Sequence, residues 1–188
     1  MKIFLTILAC GVVVATGVLG FIYSGLYDVS ALHPDNPIIA WALHKTSDRS
    51  VEARLGSIQV PAGLDKEDVV LSGAKLFADH CVVCHGGPGL PSTDIAQGLN
   101  PQPARLFNPR RHADMAEMYW FIENGVKMTA MPGFGKTHPD TDIWALAAFL
   151  KKAPGMSPQE FSNLTGIQLP VVKPGSDDTT GTSETPPH

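Results

Sequence analysis

Apolar residues run without a charge from Ile3 to Tyr23, between Lys2 and Asp28. A helix over that run has the length of a bilayer's hydrocarbon core. Lys2 and the terminal amine place its start on the inner side and the rest of the chain outside. Two other readings compete. Ala15-Thr16-Gly17 faintly resembles the small-residue cleavage site of a signal peptide, and Ile7-Leu8-Ala9-Cys10 resembles a lipoprotein box. The apolar run continues through Val18, Leu19, Phe21 and Ile22, longer than a signal needs, and too few residues precede Cys10. An uncleaved anchor is expected, residues 1–24. Gly11, Gly17 and Gly20 would let a second helix approach it, although such glycines are often merely tolerated in lipid.

Beyond the anchor the apolar spacing turns helical. Asn36-Pro37 offers a capping side chain followed by proline at the first helical position. Ile39, Leu43, Val51 and Leu55 then recur, with Ile38 and Ala42 beside them, up to Gly56. The pattern predicts an amphipathic helix that rests on the next domain, lies near the membrane or docks a partner. His33 and His44 of this region read as surface histidines. After Val60-Pro61-Ala62-Gly63 a helix is expected over Lys66 to His80, with Val69, Val70, Gly73, Leu76 and Phe77 on its apolar face. Gly73 and Phe77, four residues apart, place a close-approach point and an aromatic where another helix would cross. Asp114 to Glu117 has capping-box spacing and opens a helix ended by Gly125. Thr137-His138-Pro139-Asp140 looks like the cap of a last main helix, whose face is Ile143, Trp144, Ala147, Ala148 and Phe149. Ser157 to Glu160 starts a short helix closing at Gly166. From about Pro170 the chain lacks apolar residues and is expected to be a disordered tail.

Composition adds little beyond limits. A length of 188 residues suits one small domain with attachments, and a net charge of −4 argues against a nucleic-acid partner. Cysteine usage changes the picture. Cys81-Val82-Val83-Cys84-His85 sets two thiols three positions apart with a histidine directly after the second. That spacing suits two thioether bonds to neighbouring porphyrin vinyls, with the imidazole under the ring for one axial position on the iron. A zinc site would need a second Cys/His pair, and the only other cysteine is Cys10, inside the apolar run. A thioredoxin-like dithiol would need a preceding strand, and what precedes is helical in pattern. One covalent haem c is the expected cofactor.

The second axial position is sought in Met128-Thr129-Ala130-Met131-Pro132-Gly133-Phe134-Gly135. Met131, in a loop stiffened by Pro132, is the expected ligand, and Met128 is its rival three residues away. Met115 and Met118 read as core filler. Histidine with methionine would raise the reduction potential and leave no open site for a substrate or gas. Arg105, Arg110 and Arg111 offer guanidinium groups to haem propionates or form a solvated basic loop. Trp120 could donate its indole N–H there, or pack.

Taken together, the Gly73/Phe77 helix, the Cys81–His85 motif, the Met131-Pro132-x-Phe134-Gly135 loop and the Ile143-Trp144-Ala145-Leu146 helix resemble a class I c-type cytochrome. The resemblance covers about Leu64 to Pro154. It implies an all-α cytochrome c fold around one covalent haem, with His85 proximal and Met131 distal. It also implies that Pro88 or Pro91 gives the carbonyl that accepts the His85 Nδ1 proton. The expected organisation is an anchor (1–24), a connecting segment (25–60), a cytochrome domain (61–168) and a tail (169–188). The expected function is a single-electron carrier, not an enzyme. It would be tethered to a bacterial cytoplasmic membrane, with its haem domain on the periplasmic side. It would serve redox proteins such as a dehydrogenase, a quinol-oxidising complex or a terminal oxidase. A haem-carrying subunit of a larger membrane complex is the alternative, and a five-coordinate sensor or enzyme a more distant one. A small-molecule substrate is not expected.

Overall fold

A computed structural model describes residues 1–112 and 114–170. The expected tail, residues 169–188, therefore lies almost wholly outside the described residues. Among the described residues all regular structure is helical. The chain divides into two units, Met1–Asp35 and a second beginning at Asn36.

The first unit is built on α1 (Lys2–Tyr23), 22 residues with no charge beyond Lys2 and none of its side chains buried. Its mean hydropathy of 2.4 and its length suffice to cross a membrane. Ser24 ends it, and Asp28 then turns the chain through a bond from the Ser30 N–H at 2.8 Å and a pair with His33 at 2.9 Å.

The second unit begins with α2 (Pro37–Leu55). The Asn36 side chain caps it by accepting from the Ile38 N–H at 3.0 Å, and it ends at Gly56 as the sequence predicts. Its apolar face is narrower than expected. Val51 alone is buried, on a stripe with Ala40, Ser47 and Leu55, while Ile38 is 75% and Leu43 63% exposed. At about 100° per residue, Leu43 is turned roughly 80° from Val51 and misses α6, the element against which α2 packs.

The domain core is the crossing of α3 (Glu67–His80) with α7 (Asp140–Lys152). Eight consecutive α7 residues, Ile143 to Leu150, are buried, so this helix is enclosed on nearly every side. Gly73 makes the crossing tight: any side chain there would overlap the backbone of Ala145. One turn further on, Phe77 meets Phe149, ring centroids 5.3 Å apart, and Phe161 of α8 (Pro158–Thr165) closes the cluster from below at 6.3 Å. Burying an aromatic of this size contributes about 2–3 kcal/mol.

α6 (Met115–Asn124) is capped by Asp114, whose carboxylate accepts from the Glu117 N–H at 3.0 Å. It lies along α7 with Tyr119 stacked on Trp144 at 4.2 Å. The Tyr119 hydroxyl donates to Asp140 at 3.0 Å and to Glu123 at 3.2 Å, and burial together with these carboxylates raises its pKa. α8 starts and stops as predicted, with Ser157 accepting from the Glu160 N–H and Gly166 in the left-handed region. The cap of α7 differs from expectation. Pro139 holds the N-cap position with no side-chain bond, because Thr137 is engaged elsewhere. Two short helices, α4 (Val82–His85) and α5 (Asp94–Gln97), complete the domain. α5 is capped by Thr93, whose hydroxyl also donates to the Val83 carbonyl and so ties α5 back to α4.

Candidate functional site

The Cys81–His85 stretch is positioned by helix geometry. Cys81 ends α3 by donating its N–H to Phe77, and α4 then turns once, with the His85 N–H on the Cys81 carbonyl at 2.9 Å. One tight turn thus presents both thiols and the imidazole from the same few ångströms of chain. Gly86, at φ +63, releases the chain from that turn.

The loop carrying Met131 is fastened to the C-terminal end of α6. The Val126 N–H donates to the Met131 carbonyl at 3.1 Å, and the Met131 N–H to Thr129 Oγ1 at 3.1 Å. Phe134 and Gly135 donate to the Ile122 and Glu123 carbonyls, each at 2.9 Å. Gly133 lies so close to Asn124 that an added Cβ would stand 2.7 Å from its carbonyl oxygen. Backbone pressed on backbone fixes where this loop can be, independently of any side chain.

These segments wall a cavity of about 420 Å³. Cys81, Cys84, His85 and Met131 all line it, and Phe77, Leu99, Met118, Ile122, Leu146 and Leu150 give it apolar walls. A wider cleft of about 610 Å³ shares Cys84 and His85 but reaches neither Cys81 nor Met131. Met128 lines neither space. It stands 98% exposed at φ 59, so of the two rival methionines only Met131 faces the thiols' cavity.

The imidazole of His85 is oriented by its own chain. Its Nδ1 lies 3.0 Å from the Ala104 carbonyl oxygen. A carbonyl only accepts, so Nδ1 carries the proton and Nε2 keeps a lone pair for a metal. The acceptor is therefore neither Pro88 nor Pro91. Those two residues lie just past α4, whereas the segment carrying Ala104 returns alongside the ring. Burial holds the His85 pKa below its ordinary value, the Ala104 bond opposes this, and the nearby Arg111 charge adds to the lowering. Burial, aided by Cys84, pushes the Cys81 thiol up to about 12.

The arrangement fits a covalently held haem. A flat apolar group has apolar walls, two thiols on one short turn, and a nitrogen and a sulfur donor from two different segments. Among the described residues no group of three or more His, Cys, Asp or Glu side chains is placed to hold a metal ion by itself. Residues 68–150 match the family model described as cytochrome C oxidase, cbb3-type, subunit III. Residues 68–150 form a class I c-type cytochrome domain. The matched span runs from the first turn of α3 to the last turn of α7, so it contains the crossing, the thiols and the Met131 loop. No curated protein matches the chain. Membership carries haem-based electron transfer and covalently bound haem c with it.

In this cytochrome the arginines are not placed as the sequence suggests. Arg105 and Arg110 are exposed, and Trp120 packs edge-on against Phe121 at 5.5 Å; none of the three lines the 420 Å³ cavity, although Arg105 lines the wider cleft that shares Cys84 and His85. Arg111 does line the smaller cavity, half-buried, with its guanidinium 3.6 Å from the Met118 sulfur and near Glu117. Burial lowers the Arg111 pKa and the Glu117 charge opposes that. Nothing in the spacing of a proline-rich loop distinguishes Arg111 from Arg110.

Proposed function

We propose that this cytochrome is a membrane-tethered single-electron carrier holding one haem c, with His85 and Met131 as the two axial ligands. The observation that carries the reading is the convergence of Cys81, Cys84, His85 and Met131 on one apolar cavity. When bound, haem supplies a one-electron couple. The chain supplies the rest. Cys81 and Cys84 make the two thioether bonds, and the single such motif in the sequence supports one haem. His85 gives Nε2, kept unprotonated by the Ala104 carbonyl. Met131 gives its sulfur from a loop that backbone contacts hold in place. With both positions taken by the protein, no site is left for a substrate, which supports a carrier over an enzyme or gas sensor. Arg111, rather than Arg105 or Arg110, pairs with a propionate, since it alone of the three lines the cavity.

α1 serves as an uncleaved anchor in a bacterial cytoplasmic membrane, with the haem domain on the periplasmic side. Its length and hydropathy support this. Electrons pass to and from protein partners: a dehydrogenase, a quinol-oxidising complex or a terminal oxidase. The family description favours a second reading that is compatible with the first, a haem-carrying subunit of a larger membrane complex.

The deciding experiment is Met131→Ala beside Met128→Ala in the haem-loaded protein. Met131→Ala is expected to lose the thioether–ferric iron band, lower the midpoint potential and admit carbon monoxide. Met128→Ala is expected to match the parent in all three. A Met131→Ala variant with the parent's spectrum and potential would remove the ligand assignment.

A further inference from the structure

Two imidazoles that the haem site does not use meet at the edge of the cavity. His80 is the last residue of α3, next to Cys81, and His138 lies just ahead of α7, where the Met131 loop ends. Their Nε2 atoms are 3.3 Å apart, and the rings stand edge-on at 78° with centroids separated by 4.9 Å. Phe134 flanks both rings, at 6.0 Å from His80 and 5.2 Å from His138. His80 is exposed and His138 half-exposed, so the pair is open to small solutes.

The Thr137 hydroxyl has one proton, and with that proton on the Phe134 carbonyl the His138 tautomer follows. The Thr137 hydroxyl donates to the Phe134 carbonyl at 3.2 Å. Its oxygen, 3.0 Å from His138 Nδ1, is then the acceptor of the Nδ1 proton. A neutral imidazole has one N–H, so His138 Nε2 carries a lone pair directed at His80 Nε2. This is the arrangement by which an outer hydrogen bond fixes a histidine for metal binding.

We propose that His80 and His138 form a site for a divalent transition cation of the zinc class, bound through both Nε2 atoms. Zinc–imidazole bonds of about 2.0–2.1 Å in tetrahedral geometry put two nitrogens about 3.3 Å apart. The observed separation of 3.3 Å already equals that edge. Among the described residues no third Cys, His, Asp or Glu joins the pair, so water completes the coordination. The site is thus labile, filling and emptying with the ambient cation. A bound cation staples the end of α3, beside Cys81, to the exit of the Met131 loop. That places it where it restrains both segments that the cavity depends on.

The test is calorimetric titration of the haem-loaded full chain, in detergent, with zinc chloride. One zinc ion per chain is expected. His80→Ala and His138→Ala should each weaken binding at least tenfold, and the double variant should be no weaker than either single one. Thr137→Val, which keeps both ligands but frees the tautomer, should weaken binding several-fold. His33→Ala and His44→Ala should leave it unchanged. The haem spectrum of each variant reports that the domain has formed. With cupric ion as the probe, nitrogen hyperfine structure should appear in the parent's paramagnetic resonance spectrum and vanish in both single variants. Zinc binding absent below millimolar concentration, or unmoved by His80→Ala and His138→Ala, would overturn the proposal and leave the pair as a hydrogen bond between two rings.

Discussion

Gly73 on α3 rests directly against the backbone of Ala145 on α7, with no room for a single methyl group between them. Backbone cannot shift as a flexible side chain can, so the helices must part to admit one. Gly73→Ala is expected to destabilise the haem-loaded domain by about 3 kcal/mol, the upper end of the usual overpacking range. Denaturant unfolding followed at the haem band would measure it; a loss below about 0.5 kcal/mol would mean that the crossing is looser than described.

A parallel constraint governs the Met131 loop. Gly133 has an ordinary backbone conformation, so Gly133→Ala adds only bulk, against the Asn124 carbonyl. The loop should move while the core stays. The expected result is a weakened sulfur–iron band and faster carbon monoxide binding, with global stability reduced by about 1–2 kcal/mol. Comparing the spectral and stability losses separates a displaced ligand from a damaged fold.

In the haem-free chain, where no iron holds Nε2, the protonation of His85 sets a pH dependence. Its folded pKa lies below the ordinary 6.5, so the unfolded chain takes up a proton that the folded chain refuses. Stability therefore rises with pH through the window beneath 6.5 and is flat above it. Its slope is at most about 1.4 kcal/mol per pH unit for this one group. Denaturation midpoints measured from pH 5 to pH 7, the span of about two units around that value, should fall on the acid side. A flat profile would contradict the burial of the ring.

If α1 is the tether, the second unit should not need it. A chain starting at Asn36 behind a cleavable export signal is expected to mature with the parent's haem spectrum and to appear in the soluble periplasmic fraction, whereas the full chain stays with membranes through a high-salt wash. Recovery of the full chain in the soluble fraction would instead indicate a cleaved leader.

What could be read from the sequence was whatever a few neighbouring residues decide. The Asn36-Pro37 start, the Ser157 cap and the Cys81–His85 turn are local, and each is where its residues put it. Gly73 and Phe77 pointed correctly to a crossing, because a missing side chain and a large one leave complementary marks. What escaped was carried by backbone or by distance. The acceptor for His85 is a carbonyl, which every residue possesses, so Ala104 has no signature to find. Thr137 looked like a cap and is instead bound to Phe134 and His138, its neighbours in the same loop. The arginines of the 105–111 loop follow no period that would mark their directions. The wide apolar face expected for α2 shrank to Val51 because only part of that helix meets a neighbour.

The α3–α7 crossing joins positions separated by nearly the whole length of the cytochrome domain. Every iron-site residue sits on the stretch of chain that this contact closes into a ring, and the entropy of closing it must be recovered before the walls exist. A nascent chain that has presented its two thiols, its imidazole and its methionine still has nowhere to keep them. Only when α7 has followed them does a string of candidate ligands become a container.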